Sequence, residues 1–172
     1  MDPLQLEIRK RIYECITASP GIHFREIQRR MTLAVGSLDY HLHFLVKHGL
    51  IRIEREKKFT RYYPMTKNWD EEEKRLLVLL RQQHIRHILL HLLRRKRATP
   101  GTLAAALGLS RSTLSWYLKT LTDQHVIAYV QKGRFRSYRI KEPRKILEYL
   151  IVYRKSFFDD MVDNFIDTWE KR

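Results

Sequence analysis

The stretch GSLDYHLHFLVKHGLI, Gly36–Ile51, returns 76 positions later as STLSWYLKTLTDQHVI, Ser112–Ile127. Leu38, Leu42 and Leu45 stand in register with Leu114, Leu118 and Leu121, a three- and four-residue spacing that puts one apolar stripe on each of two helices. Working outward without a gap, Ile12–Tyr62 aligns with Ile88–Tyr138. The matched pairs include Ile12/Ile88, Ile27/Leu103, Leu33/Leu109, Ile51/Ile127, Phe59/Phe135 and Tyr62/Tyr138. These are residue types that build cores, so the chain carries one fold twice.

In the first copy, Asp2 and Pro3 suit an N-cap and a first-turn proline, and Leu4, Ile8, Ile12, Cys15 and Ile16 follow at helical spacing. Ser19, Pro20 and Gly21 interrupt that helix. His23–Met31 then predicts a short second helix, Thr32–Gly36 a tight turn, and Ser37 the start of a third helix. Ile51–Glu54 and Phe59–Tyr63 alternate with a period of two around Arg55, Glu56, Lys57 and Lys58, which predicts a hairpin. In the second copy Gly133 permits the tight turn, and Phe135 and Tyr138 are expected to anchor the returning strand inward.

The 172 residues, 44% hydrophobic with six glycines, suffice for two compact modules and weigh against a disordered chain. No apolar run approaches the roughly 18 residues of a membrane span, and MDPLQLEIRK lacks the apolar core of a signal peptide. The single Cys15 allows no internal disulfide. A cytoplasmic protein is expected. The net charge is +15 and unevenly spread. Leu77–Lys141 holds thirteen Lys or Arg against Asp123 alone, whereas the chain up to Pro64 holds twelve against seven acids. So one-sided a module implies a polyanionic partner more readily than a merely solvated surface.

Three helices followed by a basic hairpin is the order of a winged helix-turn-helix. The segment SLDYHLHFLVKHGLI resembles archaeal and bacterial winged-helix regulators of the ArsR and MarR type. Those proteins show a Ser/Thr-rich start, an aromatic or His beside Leu, a second Leu three residues on, and Gly-Leu-Ile leading into the wing. The second copy departs by placing His125 where that pattern has Gly. Two such modules in one chain resemble archaeal tandem winged-helix transcription factors. The resemblance implies double-stranded DNA as partner, with the third helix of each copy entering the major groove.

On that expectation the DNA-facing residues are Gly36, Ser37, Tyr40, His43 and Lys47 in the first copy, and Arg111, Ser112, Ser115, Trp116 and Lys119 in the second. Arg111 is the base-reading candidate, because its fork can pair with guanine O6 and N7, while Lys119 suits phosphate. Tyr40 and Trp116 occupy matching positions and suit either backbone and thymine-methyl contact or a protein contact. The wings add Arg55, Lys57, Lys58 and Arg61, then Lys132, Arg134, Arg136 and Arg139. The plainer reading of these cations is solvated charge guarding strand edges.

The expected architecture is mainly α with small β-wings (α+β). A first winged helix-turn-helix spans 1–66, a linker helix 67–83, a second winged helix-turn-helix 84–141 and an amphipathic helical tail 142–172. In the linker, Asp70 caps a helix opening with Glu71, Glu72 and Glu73, which either runs on to Leu93 or bends near Gln83. In the tail, Ile146, Leu150, Phe157, Val162, Phe165, Ile166 and Trp169 recur at helical intervals, and the sixteen residues from Phe157 hold five acids. Such a tail suits homodimerisation or packing onto its own domain. His84, His87 and His91 fall near one helix face, yet the Cys-rich ligand sets of metal sensors are missing, so neither metal nor cofactor is expected. No small-molecule ligand is expected, and no catalytic constellation is evident. Three functions fit: a sequence-specific transcription regulator, a nucleoid-associated architectural protein of low specificity, or a protein-interaction scaffold in transcription machinery.

Overall fold

The computed structural model describes residues 4, 6–56 and 59–171 and divides into two compact units, Met1–Lys74 and Arg75–Arg172. In the first unit, α1 (Glu7–Ala18) is followed by a two-residue strand β1 (Ile22–His23), α2 (Phe24–Met31), α3 (Val35–Lys47) and the hairpin β2 (Ile51–Glu56) and β3 (Phe59–Pro64). Leu4 lies before α1 rather than inside it but still packs on the core, and Asp2 and Pro3 lie outside the described residues. Helix α3 starts at Val35, two residues earlier than the sequence predicts. Ala34 already adopts the extended backbone of a cap, and Gly36 in the first turn meets no steric obstacle.

The core of this unit gathers Ile12, Ile16, Ile27, Leu38, Leu42, Leu45, Ile51 and Tyr62, all with at most 4% of their surface exposed. Burying each such side chain contributes about 1.5–3 kcal/mol. The sheet order is β1-β3-β2, all antiparallel, with Ile22 opposite Tyr62 and Ile53 opposite the same tyrosine on the other side. Trp69 closes the base of the sheet, donating its indole N–H to the Pro64 carbonyl at 3.1 Å and resting against Tyr63.

Helix α4 (Glu71–Leu80) carries the chain across the division between the units and ends there. A separate α5 (Gln83–Arg95) follows as the counterpart of α1, so the chain breaks near Gln83 rather than running on as one helix to Leu93. The second unit repeats the plan with α6 (Pro100–Leu107), α7 (Arg111–Asp123) and the hairpin β4 (Ile127–Lys132) and β5 (Phe135–Ile140). Its buried set, Ile88, Leu103, Leu114, Leu118, Leu121, Ile127 and Tyr138, matches the first core position for position. Even β1 has a counterpart: Ala98, equivalent to Ile22, exchanges both backbone hydrogen bonds with Tyr138. The pair Phe59/Phe135 breaks the pattern. These rings are 54% and 73% exposed, because each stands on the opposite face of its hairpin from the buried Tyr62 or Tyr138. Phe135 therefore does not anchor its strand inward, whereas Tyr138 does.

The tail forms α8 (Pro143–Val152), the single turn α9 (Arg154–Phe157) and α10 (Asp160–Glu170). Phe158, left-handed at φ 49°, breaks the helical run. Helices α8 and α10 both pack on α5, burying Ile146, Leu150, Val162, Phe165 and Ile166. Asp159 accepts from Arg86 of α5 at 2.6 Å and from His87 at 3.1 Å, and also caps α10 through the Met161 N–H. Arg86 completes its bonding by donating to the carbonyls of Leu80 and Arg81.

Candidate nucleic-acid interface

Each third helix has two sides of opposite character. In α3, Leu38, Leu42 and Leu45 are buried, and Gly36, Tyr40, His43 and Lys47 emerge on the other side, all exposed. In α7, Leu114, Leu118 and Leu121 are buried while Ser112, Ser115, Trp116 and Lys119 emerge. Tyr40 and Trp116, in the same place on the two helices, are 61% and 58% exposed.

The helix starts differ. Ser110 caps α7, its hydroxyl accepting from the Thr113 N–H at 3.1 Å, and Arg111 and Ser112 follow in the exposed first turn. Ala34, its equivalent, has the same backbone shape but no side chain to accept such a bond, so Ser37 sits in a turn whose N–H groups lack that partner. At the far end of α7, His125 adopts φ 58° where Gly49 adopts φ 68°. The departure at His125 leaves the turn unchanged and places the strain in an L-residue.

The charges on these exposed faces are partly answered. Lys119 pairs with Asp123, and His43 stands against Asp39 through both its backbone carbonyl and its carboxylate. Both pairs are exposed and hold their partners weakly. Lys47 and Arg111 are exposed. Behind the first face, Arg9 lies over the Phe44 ring at 3.5 Å, and burial together with this cation keeps the His41 imidazole below its ordinary pKa and neutral.

The wings sort their cations by strand alternation. In β4–β5, Gln131 faces Arg136, and Lys132 faces Phe135, so Arg136 shares one face of the hairpin with Tyr129 and Tyr138. Lys132 and Arg139 occupy the other face, and Arg134 sits in the two-residue turn after Gly133, whose φ is 59°. The Arg136 guanidinium lies over the Tyr129 ring at 4.4 Å. In the first wing Arg55 is exposed, Lys57 and Lys58 lie outside the described residues, and Arg61 is turned to structural use, donating to the Gly21 carbonyl at 3.0 Å. The second wing, Ile127–Ile140, carries four cations and no acid, whereas Ile51–Pro64 interposes Glu54 and Glu56 among five. The wings differ in their acids more than in net charge, and the larger part of the imbalance between the copies lies in the helices before them, where 77–126 holds eight cations against Asp123 and 1–50 holds seven against five acids.

The histidines expected near one another on α5 are put to separate uses. His87 bonds Asp159, His84 packs on Tyr117, and His91 lines a cleft. Among the described residues no group of three or more His, Cys, Asp or Glu side chains is arranged to hold a metal ion. No described helix is long and apolar enough to cross a membrane. Sequence reasoning missed β1, its counterpart at Ala98 and the Arg86–Asp159 pair. A two-residue strand has no periodicity, and a contact spanning 73 positions leaves no local pattern.

Two family models agree with this architecture. Residues 6–77 match a family model described as an N-terminal HTH domain, and residues 81–128 match one described as winged helix-turn-helix DNA-binding. A protein of Methanocaldococcus jannaschii, named as an uncharacterized HTH-type transcriptional regulator, is 26% identical over 136 residues, which is 79% of this chain. The chain spans 34% of that relative's length. Among solved structures, an ArsR family transcriptional regulator is 21% identical with a TM-score of 0.40, covering 61% of this chain and 97% of the other. The adhesin competence repressor of Streptococcus pyogenes is 23% identical with a TM-score of 0.35, covering 52% and 77%. The chain is built of two helix-turn-helix domains with small antiparallel wings.

Proposed function

We propose that this chain is a double-stranded DNA-binding transcriptional regulator that reads with two heads, α3 and α7. The observation carrying this reading is the pair of equivalent exposed helix faces, each opposite a buried leucine triad, centred on Tyr40 or Trp116 and flanked by a basic hairpin. Helix α7 has the roles divided as a base-reading helix needs: Arg111 in the first turn, where base edges are reached, and Lys119 two turns on, toward phosphate. The second head supplies the greater part of the affinity, since Leu77–Lys141 holds thirteen cations against one acid. The first head, with Asp39 on its face and acids in its wing, supplies register and selectivity.

A second reading, an architectural protein of low specificity, is favoured by the wing cations standing on both faces of the second hairpin, an arrangement that suits a backbone more than a base. Selection from a random duplex pool, followed by titration of the best and of scrambled duplexes at several salt concentrations, separates the two. A regulator prefers its site by about a thousandfold or more. Less than about tenfold preference with a steep salt slope establishes the architectural reading, and negligible duplex affinity at low salt refutes both.

We also infer homodimerisation at the tail. The buried stripe of α8 and α10 is taken up within its own unit, so the dimer contact falls to the exposed Val152 and Phe158. Light scattering of the Val152→Asp, Phe158→Asp variant reads this directly: the mass falls from dimer to monomer, and a wild-type monomer refutes it.

A further inference from the structure

The second unit contains a cleft of about 340 Å³ between α5, α6 and α10, for which the sequence offers no sign. Its volume lies at the low end of the roughly 300–1,000 Å³ typical of small-molecule sites. Leu90, Leu107, Met161 and Phe165 form an apolar floor, and Arg94 and Arg95 stand at one side. The Nε2 atom of His91 is buried in this region with no hydrogen-bond partner. An unsatisfied polar atom at that depth is costly, of order 1–3 kcal/mol, unless something fills its valence.

The electrostatics of the cleft are those of an anion site. Burial, with Arg95 and then Arg94 adding to it, holds the His91 imidazole below its ordinary pKa, so the neutral ring sits in a positive field. No described acid lines the cleft, and the one described carboxylate bonded to a lining residue, Asp159 on His87, is already paired with Arg86. Among the described residues no carboxylate pairs with Arg94 or Arg95. These arginines also sit in the last turn of α5, where cations suit the helix end, but two full charges exceed the half charge of a helix terminus.

We propose that this cleft binds a small amphipathic monocarboxylate, with its head on Arg94, Arg95 and His91 and its apolar body over Leu107, Met161 and Phe165. The guanidinium groups form charge-assisted bonds to the head, and His91, in the tautomer that carries its proton on Nε2, donates to it. The proposal concerns ligand binding alone and stands whether or not the chain reads DNA.

The test is calorimetric titration of the full chain with octanoate, set against octan-1-ol, which keeps the body without the charge, and acetate, which keeps the charge without the body. Octanoate binds saturably at one site per chain, and the other two bind at least tenfold more weakly. The Arg94→Gln, Arg95→Gln variant loses tenfold or more in octanoate affinity. Arg97→Gln, an exposed cation outside the cleft lining, changes it less than twofold. Ala106→Trp, a substitution at an exposed position of the rim, blocks binding without disturbing the core. By NMR the His91 pKa rises when octanoate binds, a response that mere packing would not give. Octanol binding as tightly as octanoate, an undiminished affinity in the double variant, or no saturable heat overturns the proposal.

Discussion

The contact that ties the tail to its unit is a buried ion pair, and removing one side of it has a calculable consequence. Arg86 and Asp159 have side chains 5% and 2% exposed. In Asp159→Ala the guanidinium loses its carboxylate while remaining buried, keeping the Leu80 and Arg81 carbonyls and the Phe157 ring but no counter-charge. Breaking a buried pair in this way costs about 3–5 kcal/mol. The missing cap on α10 adds about 1 kcal/mol, giving a total near 5 kcal/mol for the second unit. Arg86→Met combined with Asp159→Leu removes both charges and recovers most of that stability, because an apolar pair of similar volume avoids the desolvation. Urea denaturation followed by the fluorescence of Trp169, which stacks on Phe165, measures the effect as a shift in midpoint at constant slope. A destabilisation below about 1 kcal/mol in the single variant, or no recovery in the double, refutes the reasoning. The same carboxyl carries a pH signature. Burial alone would raise its pKa, but hydrogen bonds from His87 and Arg86 outweigh burial and hold it below the ordinary value. Its contribution is therefore complete above the unfolded pKa of about 3.9 and is lost as pH falls through the lower folded value.

Three further outcomes follow from comparing the copies. Ala34→Ser gives α3 the cap that Ser110 gives α7, and raises the first unit's stability by about 1 kcal/mol in chemical denaturation; no gain means the cap geometry is not shared. Gly49→Ala, at φ 68° in open space, costs about 1 kcal/mol from backbone strain alone, whereas His125→Gly is neutral or stabilising by up to about 1 kcal/mol. A neutral Gly49→Ala contradicts this. Lys132→Glu with Arg134→Glu leaves thermal stability unchanged, since both are exposed, and lowers the salt slope of duplex binding by about 0.9 for each phosphate no longer neutralised. An unchanged slope removes the second wing from the interface.

The elements that were legible in the sequence are those whose signal is periodic and local. The leucine triads of α3 and α7 announce both the helices and their buried faces, and the repeat carries one copy's assignment to the other. Where the pattern outruns the packing, it misleads. Phe135 is apolar but stands three positions from Tyr138, on the opposite face of β5, so its residue type suggests an inward anchor that the register does not allow. The start of α3 was hidden because Ala34 caps by backbone shape alone. The tail reads as a continuous amphipathic run, and only the left-handed Phe158, at a residue type that rarely adopts this conformation, divides it. Nothing near His87 or Asp159 in sequence announces their meeting, because the selection is for complementary charge in a shared burial site. The cleft beside His91 is illegible for the same reason: it is a space among three helices, and sequence patterns describe surfaces one helix at a time.

Arg136 on the Tyr129 ring has a consequence for how the second wing would grip a polyanion. A free arginine gives up its rotameric freedom on binding, at about 0.5–1.5 kcal/mol for each side chain immobilised. The Arg136 side chain has surrendered part of that freedom already, with the face of its guanidinium on the ring and hydrogen-bond donors along its edge. Its neighbours Lys132 and Arg134 begin from the unrestricted state. Equal charges in one hairpin thus differ in entropic cost, and Tyr129, which need touch no ligand, sets that difference.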